Sequence, residues 1–522
     1  MRRWRRALVV VATLAMTIAG TGYDAMPAGK PLVVGLVAEP TSMDPGQLTD
    51  INSMRVLSSV YDTLVRFKEG SFTQEPGLAT SWKMSPDGLT YTFTLRKGVK
   101  FHDGTPFDAE AVKFTYDRLL DPKHPYAETG PFPFASFYYG AIKEVTVVDP
   151  ATVRFTAKQP FSPLLNNLTL NTGRIVSPAA VKKYGKEFAS HPVGTGPFKF
   201  VSWDKNVRIV LEANAAYWGG PPKLSGIVFR PLVEEQTRVT ELMSGGVDFI
   251  VDVPPDNVAQ VKKDARLVYY EQPGPHIWWV TLNTEKKPFN DVKVRRAVNH
   301  AVNRDAIVKE LFQNNAQVIP GHVSPLQNGY ANLSGYAYDP KKAKELLAQA
   351  GKPSLRVKLW SPKGRFVKDY ELAQAVQQDL AAVGVEAALS TFEWGAYLSA
   401  TKTPADQTDR ELFLLGWSPS TGEARWGTFP LLHSSQFAPK GDNRGFFASK
   451  ALDEAIDKAT LATTDPARLG ALREAQQIAI NEAPYIFLIS PNMVVGTSKK
   501  VREVVNLPLE LTYLTEKSWK DK

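Results

Sequence analysis

The chain has 522 residues, too many for one ordinary hydrophobic core, so two or more lobes are expected. Hydrophobic residues make up 43% and charged residues 22%, and the formal charge of +9, which is +6 without Arg2, Arg3, Arg5, Arg6 and Asp24, is spread along the chain and argues against nucleic acid. Cysteine is absent, which excludes disulfides, thiolate metal sites, a cysteine nucleophile and a lipid-modified cysteine.

MRRWRR followed by ALVVVATLAMTIAG and small residues reads as an export signal over residues 1–28, with an apolar stretch shorter than the ~20 residues that span a bilayer. PLVVGLVAE (31–39) reads as a strand ending at Pro40, and a helix is expected from about Asn52 to Phe67, with Val56, Val60, Leu64 and Phe67 on one face. SPDG between two strand-like runs marks a hairpin, and Asp108 is placed to cap the helix AEAVKFTYDRLL, which stops before Pro122. VTVVDPATVRFTAKQP repeats the strand, turn, strand pattern, and near VGTGPFKFVSW the chain is expected to rejoin its first sheet.

EEQTRVTELMSGG is a helix closed by Gly245 and Gly246, followed by the buried strand VDFIVDV. DVKVRRAVNHAVNRDAIVKELF carries the strongest helical pattern. DPKKAKELLAQAG, LRVKLW, DYELAQAVQQDLAAVG, VEAALSTF and ELFLLGW then alternate helix with strand, the rhythm of an α/β lobe.

Few motifs suggest catalysis. GTGPF (194–198) is a tight turn rather than a dinucleotide fingerprint, and GWSPS (416–420) approaches the nucleophile elbow but ends in Ser420 and has no evident helix after it. The seven histidines show no metal-ligand spacing, so no metal, cofactor or catalytic residue is assigned. Aromatic residues concentrate in GPFPFASFYYG (130–140), GPHIWWV (274–280) and GWSPSTGEARWG (416–427), as a cleft with aromatic walls requires.

EPTSMDPG, VYDTLVRF, PGLATSWKMSPDGLTYTFTLRKGVKFHDGTPFDAEAVKFTYDRLLDP, VGTGPFKF, NAAYWGG, LMSGGVDFI and LNTEKKPFNDVKVRRAVNHAVNRDAIV, in that order, resemble the dipeptide and oligopeptide family (family 5) of ABC-transporter periplasmic solute-binding proteins. The resemblance covers about residues 31–490, and GWSPSTGEARW is similar to the glutathione-binding branch. It implies an α/β, two-lobed periplasmic-binding-protein fold (type II, large peptide-binding cluster): a first lobe with a core (31–65, 186–275 and 487–522) and an extra subdomain (66–185), a second lobe (276–486), and a hinge between them. It also implies a monomeric exported binding protein, not an enzyme, that passes a short peptide to membrane permeases of an ATP-driven importer.

In such proteins an arginine holds the ligand's C-terminal carboxylate, and LWSPKGRF puts Arg365 at that place; its planar fork suits a carboxylate. Peptide-binding relatives carry an aspartate three residues after the loop's first tryptophan, for the α-ammonium; here that position is Ser420, a neutral hydroxyl. Glu423 is then the candidate for an ammonium and Arg425 for a second carboxylate, unless the two pair with each other, and Trp417 and Trp426 are candidate walls. A γ-glutamyl peptide such as glutathione fits this set. An oligosaccharide, an opine or a nickel chelate is the alternative within the fold, and a secreted hydrolase is the alternative outside it.

Overall fold

A computed structural model describes residues 31–521 apart from Thr49, Gly70, Gly364, Pro419 and residues 508–510; the expected export signal lies outside the described residues. Two large sheets define two α/β lobes. The first has seven strands in the order 267–272, 493–498, 249–251, 32–36, 226–231, 208–213, 198–204. The second has six, in the order 316–318, 485–491, 277–282, 412–417, 355–362, 385–392. Leu32–Leu36 is buried between parallel neighbours on both sides, and Ile277–Leu282 is buried along its whole length. In the latter, Trp278, Val280 and Leu282 enter one core while Ile277 and Trp279 enter the other, as a central strand covered on both faces requires.

A four-stranded antiparallel sheet (79–84, 90–95, 152–157, 142–149) forms a further unit of the first lobe. Its hairpin turns at Ser85–Gly88, where Gly88 takes a φ of 70°. Alternation along TYTFTL buries Tyr91, Phe93 and Leu95 against the helix Ala109–Leu120, whose first turn is capped by Asp108 accepting from the Ala111 amide at 3.0 Å. Arg118 of that helix grips Asp44 of the first sheet's loop with two hydrogen bonds of 2.8 Å, and neither side chain reaches solvent. A buried bidentate pair has narrow geometric tolerance, so this contact fixes the unit against the loop of the first sheet.

The structure shortens several expected elements. The first helix runs only over Ile51–Val60: Tyr61 is extended, Asp62 accepts from Thr195, Tyr217 and Trp218, and Val65–Phe67 pairs as a strand with Gln74–Pro76. The long helix from 291 breaks after Val292–Ala301, because Arg304 turns back to donate to the Asn299 and Val302 carbonyls. The return crossing between lobes falls at Asn492 rather than at 487, since Tyr485–Pro491 belongs to the second sheet. The outward crossing is 273–276, and a side chain at Gly274 would overlap the Pro491 carbonyl, so the two crossings lie against each other.

Candidate functional site

Strand 355–362 runs parallel to 412–417, so their carboxyl ends, leading to Arg365 and to loop 418–423, lie at one edge of the second sheet. The crossings reach the same edge, because Ile277 pairs with Trp417. Crevices at carboxyl ends of parallel strands are where open α/β sheets bind ligands.

The loop itself is tightly knit. Trp417 donates its indole N–H to the Trp426 carbonyl at 3.1 Å, Trp426 donates to the Ser418 carbonyl at 2.7 Å, and the rings lie 5.1 Å apart. A helix, Ala424–Leu432, follows this loop, contrary to the sequence expectation. Gly427 and Pro430 hide it in the sequence, and burial on nearly every face sustains it. It opens at Ala424, not directly after Ser418, so the tight turn of a nucleophile elbow is not formed.

Glu423 and Arg425 do not pair with each other. Glu423 is 2% exposed and its carboxylate accepts from Arg468 at 2.7 Å. Burial pushes its pKa up, against the pull of Arg468 and Arg425. Arg425 donates to the Thr460 hydroxyl at 2.6 Å and lies over Phe429 at 4.2 Å; burial draws its pKa down to about 10. These two residues therefore fasten the loop to the helices Lys450–Leu461 and Asp465–Glu482.

Across the cleft, the aromatic segment 130–140 of the first lobe meets the loop. Trp426 packs on Phe137 at 4.6 Å and Tyr138 at 5.1 Å between ring centroids, and the Ser420 hydroxyl faces the buried Tyr138 phenol. Gly422 abuts Phe72, and Phe161 lies 5.5 Å from the Arg425 guanidinium. Ser162 donates from its amide to Thr460 and from its hydroxyl to Ala459, at 3.0 and 2.9 Å. Lys368 reaches Asp256 at 3.5 Å. The lobes thus touch around the loop, with Trp417, Ser420 and Trp426 brought together and Arg365 set apart on its own turn.

Arg365 is exposed. Its guanidinium lies about 5 Å over Phe366 and Trp394, and it makes no ion pair among the described residues. Its turn is held by Asp369, whose carboxylate accepts from the Arg365 and Phe366 amides at 2.8 and 3.1 Å. Phe137 and Tyr138 lay in an aromatic cluster visible in the sequence, whereas nothing local marked Arg468, Thr460 or Ser162. An open groove of about 460 Å³, lined by Asp108, Lys113, His124 and Lys182, lies on the first lobe alone and takes no part in this arrangement.

Residues 73–439 match the family model for bacterial extracellular solute-binding proteins, family 5. The glutathione-binding protein GsiB of Salmonella typhimurium is 35% identical over 503 residues, 96% of this chain and 95% of that protein. Among solved structures, HbpA2 from Haemophilus parasuis superposes with a TM-score of 0.85 at 28% identity, covering 94% of this chain and all of that one. DppA from Helicobacter pylori in complex with the peptide STSA superposes with a TM-score of 0.79 at 33% identity, covering 93% and 98%.

Proposed function

The chain belongs to family 5 of the bacterial extracellular solute-binding proteins, and on that premise we propose that it captures a short peptide or glutathione-like solute between its lobes and delivers it to the permease subunits of an ATP-driven importer. It acts by binding and release, as an exported monomer in the periplasm. The observation that carries this reading is Trp426, a second-lobe residue 7% exposed and buried in the first lobe's aromatic core, at the sheet edge that also bears Arg365. Arg365 holds the ligand's C-terminal carboxylate by a two-point charge-assisted contact, and Trp417, Ser420 and Tyr138 line the rest. Contacts from both lobes favour closure only to the extent that they are missing when the lobes part.

Support for a peptide-like ligand comes from the ligands of relatives: glutathione for the Salmonella protein and a peptide for the Helicobacter one. The test is a thermal-shift panel of dipeptides, tripeptides, glutathione and oligosaccharides, followed by calorimetry on the hits. Stabilisation by peptides or glutathione that is lost in Arg365→Ala is expected. A response confined to sugars, independent of Arg365, would replace the reading, and peptide turnover at substoichiometric protein would contradict a binding-only role.

A further inference from the structure

Ser162 of the first lobe closes the end of a helix in the second. The helix Lys450–Leu461 runs into Ala462, whose backbone is extended at φ −62° and ψ 133°, so its last carbonyl oxygens need donors from elsewhere. Ser162 supplies two: its amide donates to the Thr460 carbonyl at 3.0 Å and its hydroxyl to the Ala459 carbonyl at 2.9 Å. Beside this contact, a side chain at Gly88, in the hairpin turn of the first lobe, would come within 3.0 Å of the Thr463 methyl.

Both partners are held in place by their own lobes. Pro160 lies against the Gly88 turn, and Phe161 is buried in the first lobe's aromatic core, where its carbonyl accepts from the Tyr91 phenol at 3.4 Å and the Leu164 amide at 3.1 Å. On the other side the Thr460 hydroxyl donates to the Ile456 carbonyl at 2.8 Å and accepts from Arg425 at 2.6 Å. Donors and acceptors that are already ordered lose little freedom on meeting, so their hydrogen bonds keep more of their worth. The contact involves no atom of Arg365, Trp417 or Ser420.

We propose that Ser162 is a closure-determining residue: it latches the first lobe onto the end of helix 450–461 and holds part of the ligand-free population closed. Ligand contacts then complete a closure that the latch has begun. Arg425 joins the latch to the loop that bears Trp426. The proposal requires the two lobes and not the identity of the solute, so it stands or falls apart from the peptide reading.

Single-molecule FRET on the full-length exported protein, stripped of solute by unfolding and refolding, tests it. The chain has no cysteine, so Lys83→Cys and Lys450→Cys, both exposed and one on each lobe, take the dyes. A closed, high-transfer population is expected without ligand. Ser162→Thr keeps both donors and should retain it. Ser162→Ala keeps only the amide and should lower the closed-to-open ratio about threefold. Ser162→Glu sets a carboxylate against the carbonyl end of the helix and should lower the ratio about tenfold. Should that variant fail to fold, the contrast between Ser162→Ala and Ser162→Thr decides. A ratio equal in the parent and Ser162→Ala, an equal loss in Ser162→Thr and Ser162→Ala, or a ligand-free parent with no closed population overturns the proposal and leaves the peptide reading intact.

Discussion

Arg468 donates to Glu423 at 2.7 Å, with both side chains shielded from water, and so a charge in the candidate ligand loop is neutralised by a helix that begins beyond residue 464. Arg468 also holds Asp465 at 2.9 Å and is the arginine whose guanidinium contacts the Glu423 carboxylate, while Arg425 acts on it only electrostatically.

Replacing Arg468 by methionine leaves Glu423 buried without its partner. Loss of one member of a buried pair costs about 3–5 kcal/mol, so the urea midpoint at pH 7 should fall markedly. The folded pKa of Glu423 is already above its ordinary 4.5 and would rise further. A raised carboxyl pKa penalises the folded state above the unfolded pKa and not below it. The loss measured at pH 7 should therefore shrink as the pH approaches 4.5, and a pH-independent loss would contradict this account.

His322 is fully enclosed, and desolvation lowers its pKa from 6.5 to about 3. Its Nε2 meets the Thr428 hydroxyl at 3.2 Å. A depressed histidine pKa means the unfolded chain binds the proton first, so its contribution to stability is present above pH 6.5 and is lost as pH falls toward 3. The slope is at most about 1.4 kcal/mol per pH unit for this group. Unfolding titrations of His322→Gln between pH 7 and 5 should show a shallower decline than the parent protein.

Arg365→Ala should weaken ligand binding at least tenfold, which is about 1.4 kcal/mol, with the unliganded melting temperature almost unchanged. The guanidinium is exposed and leans on Phe366 and Trp394, and the turn is held by Asp369 through backbone amides that the substitution keeps. Calorimetry and a thermal scan separate the two effects. Unchanged affinity would remove Arg365 from the site.

Gly422 has a φ of 66°, and a side chain there would overlap the Phe72 ring across the lobe boundary. Gly422→Ala should cost about 1 kcal/mol or more from backbone strain alone and should also hinder closure, raising the radius of gyration of the ligand-saturated protein. Phe72→Ala in the same chain should restore compaction but not the strain loss.

Local elements were readable because their causes lie within a few residues. Asp108 caps its own helix, Gly245 closes 235–244 with a φ of 80°, and the SPDG turn makes its hairpin. The helix Ala424–Leu432 was not readable, since Gly427 and Pro430 oppose it and only enclosure by both lobes offsets them. The break after Ala301 was equally hidden, because it depends on where one arginine finds carbonyl oxygens.

The candidate site divides in the same way. Short-range pattern and block order sufficed for the two-lobed α/β class, for the aromatic content of 130–140 and 416–427, and for the absence of a carboxylate at Ser420. Glu423 and Arg425 are engaged by residues 45 and 35 positions away, which turn both charges inward. A charge faces a ligand or a neighbour according to which counter-charge the packed chain brings within about 3 Å, and pairing over that sequence distance exists only once the helices have docked.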